Sequence, residues 1–145
     1  MLVPAGVLVL VILGAIAVDA AIAFLAQREL AGLAAAAAND AAAAAVSGPG
    51  FYRPGTTPIV ALDPALARRV VDQAVAARNV GNIEGLTVDV RTSASQVCVT
   101  VTGHVSYLFA RAVPGAARGT TVTGRAVAST IEGAPGVPVG RPSAC

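Results

Sequence analysis

Asp19 is the residue whose type and position in this sequence most clearly suggest a special role. It is the one ionisable side chain between Leu2 and Ala26, in a run otherwise made of apolar and small residues. An acidic side chain in an apolar helix usually faces protein or lies close to the membrane surface. We therefore interpret Asp19 first as a boundary residue that reaches lipid headgroups. The alternative is that Asp19 faces a partner helix and sets the register of that contact.

Cys98 and Cys145 are the two cysteines of the chain, and they can form a disulfide with each other. Such a bond would join residues about 47 positions apart and contribute up to about 4 kcal/mol in the loop-entropy model. It requires an oxidising compartment. Two free thiols, or a bridge to another chain, remain the alternatives.

The sequence lacks a group of residues that is typical of catalysis or metal binding. His104 is the single histidine, and no acidic residue or cysteine stands at metal-ligand spacing from it. The glycines form neither a GxxxxGK nor a GxGxxG phosphate-binding motif. We predict a non-enzymatic protein without a cofactor or a metal site.

The composition limits the class of protein further. Of the 145 residues, 55% are hydrophobic and 12% are charged, whereas ordinary globular domains carry about 25% charge. So much aliphatic surface excludes a disordered chain. A net charge of +2 without a basic cluster makes nucleic acid an unexpected partner.

Residues 1–27 are predicted to form a transmembrane anchor helix. The 25 residues from Leu2 to Ala26 would extend about 37 Å as a helix, enough to cross a hydrocarbon core of about 30 Å. The rival interpretation is a signal peptide cleaved after Ala17, since Ala15-Ile16-Ala17 matches a small-x-small cleavage site. We favour the anchor, because no basic residue precedes the run and its apolar pattern continues past Ala17.

Three further segments follow the anchor. Residues 28–46 are dense in alanine and predict a helical stem that projects from the membrane and can pack closely on other helices. Residues 47–131 predict a small head, and residues 132–145 form a tail rich in proline and glycine.

The head is predicted to be α+β, with one helix packed on an antiparallel sheet of about three strands. Asp63-Pro64 is typical of a helix start, and Asn79 and Gly81 are expected to end that helix. Alternating valines then indicate strands, with Gly103 as a bulge or a close contact. The predicted strand segments are 86–91, 97–107 and 120–131.

The order of several short motifs resembles the amino-terminal segment and head of TadE/TadG-like proteins. In chain order they are Val18-Asp19, Gln27-Arg28-Glu29-Leu30, Asn39-Asp40-Ala41-Ala42, the helix after Asp63-Pro64, and the terminal strand VTGRAVAS. The likeness covers roughly residues 3–131. The resemblance implies a bitopic or pseudopilin-like component of the tight-adherence (Flp-type) pilus and secretion machinery, with its head outside the cytoplasmic membrane.

From these observations we expect a single-pass minor pilin or assembly component that acts through helix–helix and head-mediated contacts. Its partners would be membrane lipid and other subunits of the pilus or secretion system, with homo- or hetero-oligomers formed through the alanine-rich helix. The alternative is a secreted α+β binding domain released by signal peptidase.

Overall fold

The computed structural model describes residues 2–45, 62–78, 80–93 and 96–129. In chain order, the elements are the helix α1 (Leu2–Ala45), the helix α2 (Pro64–Ala76), the strands β1 (Ile83–Thr92) and β2 (Gln96–Ser106), a 3₁₀ turn (Ala110–Ala112), and the strand β3 (Gly119–Ser129). These elements confirm the predicted α+β class, with a second helix packed on a three-stranded antiparallel sheet.

Helix α1 is a single helix of 44 residues that contains both the predicted anchor and the alanine-rich segment. No proline occurs in it after Pro4, and alanine, the best helix former, dominates its second half. Nothing in these residues therefore interrupts the helix between its apolar beginning and its alanine-rich end.

The sheet has the order β1-β2-β3, and both neighbouring pairs are antiparallel. In the central strand, Val99 lies between Val90 of β1 and Ala126 of β3. A bulge interrupts the β1–β2 register between Glu84 and Thr87. Gly85 lies within it at φ +62°, a backbone conformation that other residues rarely adopt.

The core of the head forms between this sheet and the second half of α1. One buried cluster contains alternate valines of β2, residues of α2, and the inner face of α1. The α1 members of that cluster are Ala26, Leu30, Leu33, Ala34, Ala37, Ala38, Ala41, Ala42 and Ala45. The expectation that residues 28–46 project as a separate stem is thus wrong, because the alanine face is the innermost layer of the head.

Gly124 of β3 shows how closely the helix and the sheet approach each other. A Cβ atom at this position would collide with the backbone of Leu30 and Ala31 in α1. Gly103 of β2 is a similar close contact, since the side chains of Ile83 and Leu86 occupy the space its Cβ would need. Gly103 is therefore a close contact, as predicted, and the bulge lies in β1 instead.

The remaining boundaries are close to the predicted ones. Asp63 is the N-cap of α2, and its Oδ1 accepts hydrogen bonds from the backbone N–H groups of Ala65 and Leu66. Helix α2 ends at Ala76, a few residues before the predicted stop at Asn79 and Gly81. The linker before residue 62, the end of the predicted third strand at residues 130–131 and the tail lie outside the described residues.

Candidate functional site

The carboxylate of Asp19 joins α1 to the loop between β2 and β3. Oδ1 accepts hydrogen bonds from the backbone N–H groups of Leu108 at 2.8 Å and Phe109 at 3.1 Å. Oδ2 accepts a third from the N–H of Ala110 at 2.8 Å. Asp19 is only 7% exposed. One buried side chain thereby binds three consecutive N–H groups that lie 89 to 91 residues away in sequence.

The local structure of the loop explains why it presents three N–H groups to one acceptor. Ala110–Ala112 is a 3₁₀ turn, and the first N–H groups of any helical turn have no partner inside it. Phe109 stands at the N-cap position and supplies no side-chain cap. Asp19 supplies that cap from another element, with a negative charge placed where the helix dipole favours one.

Neither role considered for Asp19 from the sequence included these hydrogen bonds. The three donors to its carboxylate belong to the same chain. Its function in the described structure is to fix the loop against α1.

The loop from Tyr107 to Arg118, which we call the junction loop, exposes large apolar side chains. Leu108, Phe109 and Val113 are 51%, 45% and 58% exposed. Two arginines of the same loop, Arg111 and Arg118, line one shallow hollow with Ser106 and Ala112. Apolar and cationic side chains are therefore combined on one short segment.

The part of α1 that precedes the junction exposes an apolar surface of its own. Its large side chains are among the most exposed hydrophobic residues of the described chain, with Leu10 at 70%. They are Val7, Leu8, Val9, Leu10, Val11, Ile12, Leu13, Ile16 and Val18. Within the described residues, α1 is the one helix long and apolar enough to cross a membrane.

Cys98 lies buried in β2 on the face of the sheet opposite the core valines, as its alternation with Val97 and Val99 requires. It is disulfide-bonded. Its predicted partner, Cys145, lies outside the described residues.

The other residues considered from the sequence do not assemble into a site. His104 is exposed on β2, and its ring lies where a Cβ at Gly119 would need to be. Among the residues that the structure describes, no three of His, Cys, Asp and Glu come together in a way that could hold a metal ion.

Asp19 stands out in the sequence, whereas its hydrogen-bond partners do not. Leu108 and Phe109 bind through backbone N–H groups, which carry no residue-specific signal. One signal was present in the side chains, because the apolar pair Leu108-Phe109 is separated from the end of β2 by one residue and Arg111 follows after one further residue. That pattern is unusual for a loop in contact with water.

The fold and the junction together define an α+β head carried on a helix that is able to span a membrane. No protein-family model, curated protein or solved structure matches the chain.

Proposed function

We propose that this protein is a non-enzymatic, membrane-anchored subunit of a Tad/Flp-type pilus or secretion system, either a minor pilin or an assembly component. The observation that carries the proposal is that one unbroken helix has two different surroundings. Its first half exposes large apolar side chains, and its second half forms the core of the head.

The exposed half supports membrane anchoring. Soluble monomeric proteins rarely expose a continuous apolar surface of this kind, because contact with water is unfavourable. The surroundings that would cover it are lipid chains or the apolar helices of other subunits. Both occur in a pilus subunit, which resides in the membrane before it assembles with its neighbours.

The head is proposed to lie outside the cytoplasmic membrane, as the resemblance to TadE/TadG-like proteins implies. The disulfide at Cys98 supports a location of the head outside the cytoplasmic membrane, because disulfides form and persist in oxidising compartments. The charges near α1 give little guidance, since Arg28 is followed directly by Glu29.

The contacts to other subunits are proposed to involve the first half of α1 and the outward face of its second half. The inner alanine face is occupied by the sheet and by α2, and is not available for oligomer contacts. The outward face remains exposed at Ala35, Asn39 and Ala43, whose small and polar side chains permit close approach of another helix.

Photo-crosslinking in cells that carry the complete pilus system tests the subunit role. A photoactivatable amino acid is placed at Val9 or Leu13 in the apolar half, with Arg68 on the exposed face of α2 as the comparison position. We expect adducts with pilin or platform subunits from Val9 or Leu13. Two results together would contradict the proposal. Val9 and Leu13 would give adducts with lipid alone, and cells that lack the protein would still form normal pili.

Fractionation with N-terminal sequencing tests the anchor itself. We expect a chain that retains α1 and stays in the membrane pellet after an alkaline wash. A soluble chain that begins at Val18 would replace the anchor with the alternative function, a secreted binding domain.

A further inference from the structure

The junction loop lies beside α1 at a height where the apolar surface of the helix has not yet ended. That surface continues past Asp19 to Phe24 and Leu25, which are both exposed, and the first charged residues after it are Arg28 and Glu29. From Pro4 to Leu25 the helix extends about 33 Å, close to the thickness of the hydrocarbon core.

Asp19 fixes the loop to this part of the helix. Asp19 precedes Leu25 by six residues, so its α-carbon lies about 9 Å nearer the membrane centre along the helix axis. The three hydrogen bonds from Leu108, Phe109 and Ala110 place the loop at that height. An anchored α1 therefore brings the loop into the outer part of the hydrocarbon core, just below the headgroups.

The backbone of the loop is suited to such an environment. Asp19 accepts three of its N–H groups, and four more bond to carbonyl oxygens: Tyr107 to Arg118, Ala112 to Phe109, Val113 to Ala110, and Ala116 to Val113. Unsatisfied backbone groups are costly where water is scarce. Leu108 and Phe109 therefore have exposed apolar side chains, whereas their backbone N–H groups are already bonded to Asp19.

We propose that the junction loop is a second membrane-contact site, which inserts Leu108, Phe109 and Val113 among the lipids and binds anionic headgroup phosphates through Arg111 and Arg118. The proposal rests on the proposed membrane anchor. Apolar side chains inserted a few ångströms below the headgroups, with cations above them, are the arrangement by which surface segments bind anionic membranes. Arginine is well suited to phosphate because its guanidinium can donate two parallel hydrogen bonds.

The absence of tryptophan from the chain allows a direct test. Phe109→Trp introduces a single fluorophore into the loop, and Ser93→Trp is the matched control. Ser93 is an exposed residue in the turn at the other end of β2, about 35 Å away along an 11-residue strand. The full-length chain is reconstituted into vesicles of phosphatidylcholine with or without phosphatidylglycerol, and quenching by brominated lipids is measured.

We expect the emission of the Phe109→Trp chain to shift to shorter wavelength and to be quenched by lipids brominated near the headgroup. The emission of the Ser93→Trp chain is expected to remain that of exposed tryptophan. In vesicles that contain phosphatidylglycerol, Arg111→Gln with Arg118→Gln should lower the ratio of inserted to non-inserted loop about 25-fold, at about fivefold for each arginine.

The outcomes separate this proposal from the anchor on which it rests. A chain that fails to float with vesicles contradicts the membrane anchor. A chain that floats but leaves the Phe109→Trp emission unshifted and unquenched contradicts the contact site alone. Quenching that appears only after partner subunits are added would mean that the loop binds protein, which also overturns the proposal.

Discussion

The two halves of α1 differ in the size of their side chains and in what surrounds them. From Pro4 to Val18 the apolar side chains are mostly large and exposed, whereas the buried face after Asp19 consists of alanines with Leu30 and Leu33. Both halves are hydrophobic, so hydrophobicity alone does not distinguish a lipid-facing helix from a helix in a protein core. Side-chain size does, because the buried face is made mostly of alanines, which allow β3 to approach the α1 backbone closely at Gly124.

The close approach at Gly124 should give the largest effect on the stability of the head. In Gly124→Val the added side chain meets the backbone of Leu30 and Ala31, which cannot move aside without separating α1 from β3. We expect the free energy of unfolding to fall by about 4 kcal/mol or more, among the largest effects of single substitutions. Unfolding in lipid nanodiscs, followed by near-ultraviolet circular dichroism, measures this. A stability unchanged from that of the parent chain would contradict the close packing.

Replacing one leucine by alanine in each half of α1 compares the surroundings of the two halves directly. Leu30→Ala removes a fully buried side chain and should cost about 3 kcal/mol through lost burial and the cavity left behind. Leu10→Ala removes an exposed one and should change the stability of the head by less than about 0.5 kcal/mol. Denaturant titration of both variants measures the difference, and equal losses would mean that the first half also packs on the head.

Substitutions at two aspartates of α1 test whether the hydrogen bonds between Asp19 and the junction loop stabilise the head. Asp19→Ala leaves the N–H groups of Leu108, Phe109 and Ala110 without their acceptor. Asp40→Ala is the control, because Asp40 is exposed on the same helix. We expect Asp19→Ala to lower the midpoint of thermal unfolding, by less than Leu30→Ala does because Asp19 lies outside the apolar core cluster and its loss opens no cavity there. Faster hydrogen exchange at residues 108–110 should accompany the change, and an Asp40→Ala chain that shows the same loss would rule out a specific role for Asp19.

The smallest effect is expected from substitutions at two α1 glycines that have open space around them, Gly14 in the first half and Gly32 in the second. Gly32→Ala adds a methyl group on the exposed side of the second half and should stabilise the head by about 0.5–1 kcal/mol, because alanine favours helix more than glycine does. Gly14→Ala should leave the stability of the head unchanged, since a helix in lipid keeps its hydrogen bonds when the head unfolds. Thermal unfolding of both variants is the measurement, and a stabilising Gly14→Ala would indicate that the halves unfold together.

Much of the fold was predictable because its signals are local. The Asp63-Pro64 start of α2, the alternation of valines in β2 and the uninterrupted helix-forming sequence of α1 each depend on nearby residues. The packing of the alanine face was not predictable, because a face of small residues accepts a helix or a sheet equally well. Gly124 on β3 is the feature that selects the sheet, and in the sequence it is one glycine among 15.

The candidate site was only half predictable for a similar reason. Asp19 stands out by its charge, whereas the groups it binds belong to the backbone of a loop some 90 residues later. The sequence does not encode such an acceptor–donor pair through any spacing rule, since the pairing depends on where the sheet places the loop.

The continuity of α1 has a mechanical consequence. A helix without a break or an internal proline transmits twist and tilt along its axis, so a rotation applied to the apolar half would also turn the head. The hydrogen bonds of Asp19 add a second point of attachment between α1 and the head, separate from the packed alanine face. A pull on the head would therefore be shared between the packed face of the helix and these hydrogen bonds.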